Sequence, residues 1–215
     1  MTAIRSTLIL LAALVLGGCQ STYYAAMEKV GVHKRDIMVD RIESSQEAQE
    51  EAQEQFKSAL ERFRSVVDFE GGELESLYAH LNSEYEDSVA SAEDVRKRIN
   101  GVKDVSDALF DEWEDELELY SNEKLRRASA TKLKETRRQY SRMLASMEKS
   151  EKRMQPVLNA FQDQVLYLKH NLNAQAIAAL KGEFSSIRKD IERLVIDMQR
   201  SINESRKFVE VLKKS

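Results

Sequence analysis

From Leu74 onward, apolar or small residues recur at Leu77, Leu81, Tyr85, Ser88, Ala92, Val95, Ile99, Val102, Ser106, Leu109, Trp113, Leu117 and Tyr120, and every step is three or four residues. Such a narrow seam, held for roughly six heptads, specifies a long helix that must lie against other helices. A second seam occupies Ile177, Leu180, Phe184, Ile187, Ile191, Leu194 and Met198, then resumes at Ile202, Val209 and Leu212 after one four-residue stutter. Between them Leu125, Ala128, Leu133, Thr136, Tyr140, Met143, Met147, Met154, Leu158, Phe161, Val165, Leu168 and Leu172 give a looser third seam, interrupted only by Pro156. Upstream, Val30, Ile37, Ala48, Ala52, Phe56, Leu60, Phe63 and Val67 form a fourth. Its middle, SSQEAQEEAQEQ, offers only alanines and is the thinnest part of the expected core.

The breaks set the helix lengths. Gly71 and Gly72 follow Val67 and Phe69, the place for a helix stop, and Glu73 and Glu75 suit the first turn of the next helix. Asn171 and Asn173 flank Leu172, and either can cap a helix beginning near Ala174. The turn near Ser121 and Asn122 carries neither glycine nor proline, so one uninterrupted helix is the alternative there. Asp111, Glu112, Glu114, Asp115, Glu116 and Glu118 precede it, while Lys124, Arg126, Arg127, Lys132, Lys134, Arg137 and Arg138 follow. Acid at a helix C-terminus and base at an N-terminus oppose the macrodipole, so a hairpin must recover that cost through pairs across the two helices. A hairpin is favoured because it makes four helices of nearly equal length, at about 22–68, 73–120, 123–171 and 174–213. Pro156 kinks the third helix or restarts it. Gly31, Gly101 and Gly182 fall within helices and mark bends or close contacts. The expected fold is all-α, a long antiparallel four-helix bundle of coiled-coil type, with residues 19–215 as one domain.

Composition agrees with helix. The 215 residues include only 7 Gly and 1 Pro, too few for the many tight turns of an all-β sandwich. A single cysteine excludes an intramolecular disulfide framework and a multi-cysteine zinc site.

That cysteine has a specific setting. Thr7–Leu16 (TLILLAALVL) is an apolar run after a short segment with one positive charge, long enough for export but short of the about twenty residues a permanent span requires. Leu16, Gly17, Gly18 and Cys19 then resemble the bacterial lipobox. The small residues suit a narrow peptidase site, and the thiol is the nucleophile that takes up diacylglycerol. Residues 1–18 are therefore expected to be a lipoprotein signal peptide, with Cys19 as the lipid anchor and first mature residue. Three acyl chains bury on the order of 40 methylenes at about 0.8 kcal/mol each, an effectively irreversible attachment. Gln20, in place of the aspartate associated with inner-membrane retention in lipoproteins of this kind, implies the outer membrane, facing the periplasm.

Catalytic chemistry is scarce. His33, His80 and His170 lie far apart, and the residues three before them are Val30, Leu77 and Tyr167, so the Glu-x-x-His pairs of a di-iron bundle are missing. Gly71-Gly72 leads into Glu73 and Leu74 rather than a Gly-Lys-Ser phosphate loop, so no nucleotide is expected. The balance of 33 basic and 37 acidic residues gives no reason to expect nucleic acid as a partner. Met143, Met147 and Met154 pack a core or, in the alternative, line an adaptable groove. Tyr23 and Tyr24 lie in the lipid interface or simply begin a helix.

The strings EKVGVHKRD (28–36) and LKHNLN (168–173), within longer stretches over 23–63, 98–113 and 154–180, resemble the bacterial lipoprotein family known as domain of unknown function 2959 (DUF2959). The likeness covers nearly the whole mature chain and implies no activity. The expectation is a non-catalytic outer-membrane lipoprotein, without metal or cofactor, acting as an envelope scaffold, spacer or adaptor. Its partners would be the membrane, through lipid on Cys19, and an envelope protein or a second copy. The alternative is a binding module holding an apolar ligand or an unfolded client along the bundle seam.

Overall fold

The computed structural model describes residues 23–214 apart from 25, 69, 70 and 72. Four long helices dominate: α1 Lys34–Val67, α2 Leu74–Leu117, α3 Glu123–His170 and α4 Ala174–Lys214. No strand occurs among the described residues. Each helix packs against its chain neighbours, and α4 closes the ring against α1. Cross-helix contacts run in opposite directions: Gln55 meets Glu84 and Lys34 meets Glu112 between α1 and α2, while Trp113 meets Ser129 and Arg96 meets Glu151 between α2 and α3. This is an up-down-up-down antiparallel bundle. At 1.5 Å per residue its helices are roughly 50 to 70 Å long. The start of α1, the α2–α3 turn and the end of α4 share one end, called the near end below; the α1–α2 and α3–α4 turns form the far end.

The core is continuous between them. At the far end Phe63 meets Phe161 and Phe184 edge to face, with centroids 6.0 and 5.6 Å apart. At the near end Tyr140 bridges Phe110 (5.4 Å) and Phe208 (6.1 Å). Between these clusters α1 presents Ser45, Ala48, Gln49, Ala52 and Gln53, all buried. The core also encloses Met143, Met147, Met154 and Met198. The long, flexible methionines fill space that short side chains leave open, so here they are core rather than a groove. The Ser150 hydroxyl lies 3.2 Å from Gln49 Oε1 and 2.8 Å from the Met147 carbonyl, which gives this weak middle a polar tie across the bundle.

The first helix begins later than its seam suggested. Residues 26–29 are helical, but Gly31 takes φ +84° and stops them. The Val32 N–H donates to the Met27 carbonyl and the Gly31 N–H to the Glu28 carbonyl, both at 3.0 Å, a complete Schellman stop. Gly31 is therefore outside the helices, and Val30, expected in the seam, is exposed. Gly101 and Gly182 do lie within helices. The α1 helix restarts at Lys34 with its first-turn Asp36 accepting from the His33 N–H at 3.4 Å.

The remaining turns follow local chemistry. Gly71 has φ +152°, a region L side chains rarely adopt. The α2–α3 break is a hairpin closed by Asn122, whose side chain accepts from the Lys124 and Leu125 N–H groups at 3.0 and 3.3 Å. At the far end the two asparagines divide the work. The Asn171 amide donates to the Tyr167 carbonyl (2.9 Å), and Asn173 accepts from the Ala176 N–H (3.0 Å). Pro156 does not restart a helix, since α3 runs unbroken through it. Leu125 and Leu172, at the ends of the third seam, are exposed because the facing helices have already ended there.

Candidate functional site: the N-terminal strap and its groove

The residues expected to carry the lipid, Cys19 with Leu16, Gly17 and Gly18, lie outside the described residues, as does the signal segment 1–18. The described chain begins just after them, and what it does there was not legible in the sequence. Residues 23, 24 and 26–29 fold back along the groove between α1 and α2. Tyr24 is 3% exposed, and its ring lies 5.7 Å from the Arg41 guanidinium carbon. Arg41 in turn donates to the Gly101 carbonyl at 2.7 Å, and its stem passes 3.8 Å from the position a Cβ on Gly101 would occupy. Tyr24 is thus fixed inside a protein groove, not in a lipid interface, while neighbouring Tyr23 is 45% exposed. Burial pushes the Tyr24 phenol above its usual range, against the pull of Arg41.

A second clamp holds the other end of this strap. Lys34 pairs with Glu28 and, at 2.8 Å, with Glu112 of α2. Burial works against the ammonium, but its hydrogen bonds with Glu112 and Glu28 outweigh that and raise its pKa. Glu28 is held below the usual carboxylate range, chiefly by its hydrogen bond with Lys34. A shallow groove of about 610 Å³ continues past Arg41, flanked by Glu93, Lys97 and Asp104.

The histidines do not converge: His33 precedes α1 at the near end, whereas His80 and His170 are exposed toward the far end. Among the described residues no group of three or more His, Cys, Asp or Glu is placed to hold a metal ion. Of the two opposed charge blocks, Glu114 pairs with Arg137 across the hairpin, but Glu123 turns to its own helix and binds Arg126 (2.9 Å) and Arg127 (2.8 Å). Cross-helix pairs between α2 and α3 that the sequence did not single out include Lys103–Glu148 (2.5 Å) and Arg96–Glu151 (2.7 Å). Asp197, 8% exposed, accepts from both Lys149 (2.9 Å) and Arg153 (2.6 Å). No helix among the described residues is long and apolar enough to cross a membrane.

Over the described residues, fold and strap together define an all-helical bundle with the stretch before α1 bound into its surface. The family model described as "Protein of unknown function (DUF2959)" matches residues 23–212, and the chain belongs to that family. Neither a curated protein nor a solved structure matches it.

Proposed function

We propose that this chain is a bacterial lipoprotein, acylated on Cys19 and held at the outer membrane facing the periplasm, whose bundle works by contact as a non-catalytic scaffold, spacer or adaptor. The observation that carries this is a lipobox-like Leu16-Gly17-Gly18-Cys19 placed shortly before a strap and, from Lys34, a rod. Along that rod the core is closed from Phe110 at one end to Phe184 at the other. A rigid rod transmits distance and orientation, and it needs no internal site to do so. The methionines that could have favoured a ligand groove are packed, Met143, Met147 and Met154 each being buried, so they offer no open seam to an apolar ligand.

Crosslinking mass spectrometry in intact cells tests the role. A scaffold gives reproducible crosslinks from defined bundle residues to an envelope protein or a second copy; their absence counts against it. The anchor is tested separately by Cys19→Ala, which should leave the chain unacylated and release it from outer-membrane fractions.

A further inference from the structure

The strap fixes where a tether can leave the bundle. Glu28 is clamped at Lys34 and Glu112 near one end, whereas Tyr24 is buried at the height of Arg41 and Gly101. Read from residue 28 to residue 24, the chain therefore runs away from the near end, toward the middle of the rod. Cys19 stands four positions before Tyr23, a reach of at most about 14 Å when fully extended. From the height of Gly101 to the α2 terminus at Leu117 is about 24 Å of helix, and to Leu74 at the far end about 40 Å. With the strap in place, lipid on Cys19 can bring neither the α2–α3 turn nor the far end of the rod to a bilayer.

We propose that the bundle meets the membrane on its α1–α2 flank and lies along a zwitterionic phospholipid surface instead of standing on an end. This rests on the lipid-anchor reading above. The chemistry of the flank suits such a surface: beside the strap, Lys97 and Glu93 of α2 line one groove and put both signs within it. A headgroup carrying phosphate and ammonium together can satisfy both, whereas a purely anionic surface meets the carboxylates unfavourably. Half-exposed Tyr23, next to the tether, sits where an aromatic ring meets the headgroup layer.

The test uses the acylated full chain in vesicles of phosphatidylethanolamine and phosphatidylcholine doped with a nickel-chelating lipid. Because the thiol of Cys19 is blocked, Lys97→Cys, Leu119→Cys, Arg138→Cys and Leu172→Cys can each carry a single spin label. Relaxation by the lipid-borne nickel should be several-fold stronger at 97 than at the near turn (119), on α3 (138) or at the far turn (172). Strongest relaxation at 119 or 172 would mean an end-on stance, at 138 the wrong flank, and equal values at all four a loose tether; each overturns the proposal. Tyr24→Ala, which frees the strap, should bring the value at 97 down toward the others, and an unchanged value removes the strap from the explanation. A chain that lacks thioether-linked diacylglycerol by mass spectrometry sinks the anchor reading itself. An acylated, vesicle-bound chain with the wrong label pattern sinks only the flank.

Discussion

The Ser106 hydroxyl donates to the Tyr140 oxygen at 2.5 Å across the α2–α3 interface, inside the aromatic cluster that closes the near end. Burial foremost pushes the Tyr140 phenol up to about 12. The folded state thus prefers the neutral ring more than the unfolded chain does. That preference is fully present below pH 10 and is lost as pH rises toward 12, a loss of up to about 2 kcal/mol after allowance for partial solvation. Urea titrations between pH 9 and 12 should show this alkaline decline in the native chain and a shallower one in Tyr140→Phe. At neutral pH the same substitution should cost about 1 kcal/mol or less, since the single Ser106 proton can turn to the Lys103 carbonyl at 2.8 Å.

Phe63 is the contact point of α1, α3 and α4 at the far end, fully buried against Phe161 and Phe184. Truncation removes a large ring where three helices meet and leaves a void that neighbouring phenyl rings fill poorly. Phe63→Ala should lower unfolding free energy by about 3–5 kcal/mol in chemical denaturation.

Two glycines should respond with opposite sign to the same substitution. Gly182 sits in α4 with nothing within 4 Å of an added Cβ, so Gly182→Ala should raise stability by about 1 kcal/mol. Gly31 has φ +84°, and Gly31→Ala should cost about 1–2 kcal/mol locally. Global melting reads the first change. The second should show mainly as faster amide exchange over residues 26–33, because the strap can detach without the bundle opening.

Asn122 is the feature that makes α2 and α3 separate helices. Asn122→Ala removes the acceptor of two backbone N–H groups and should cost about 1 kcal/mol in thermal unfolding, while Asn122→Ser should restore most of it.

Much of this architecture was written in the spacing of apolar residues. The steps from Leu77 to Leu117 and from Ile177 to Leu212 predicted two helices whose cores are buried along most of their length, since a sustained stripe has one way to be shielded. The thin middle of α1 was legible for the same reason, because Ala48 and Ala52 carry little volume. The break at Gly31 was not. Val30 and Ile37 keep a helical period across it, and whether a glycine is a helix interior or a Schellman stop is decided by the next contacts, here Tyr24 on Arg41 and Glu28 on Lys34. Those contacts join residues six to seventeen positions apart through a groove with α2, which no local pattern encodes. The Asn122 turn lay between, since its cap chemistry was visible but a continuous seam competed with it.

Arg35 of α1 donates to the Leu212 carbonyl near the end of α4, so the first and last helices of the bundle are stitched together where α1 starts and α4 stops. Topologically the bundle is almost a closed loop, which makes it a natural host for circular permutation, with new ends opened at the 171–173 turn. Reporters placed at the old junction and at that turn would sit at opposite poles of the rod, turning the molecule into a gauge of the space it occupies.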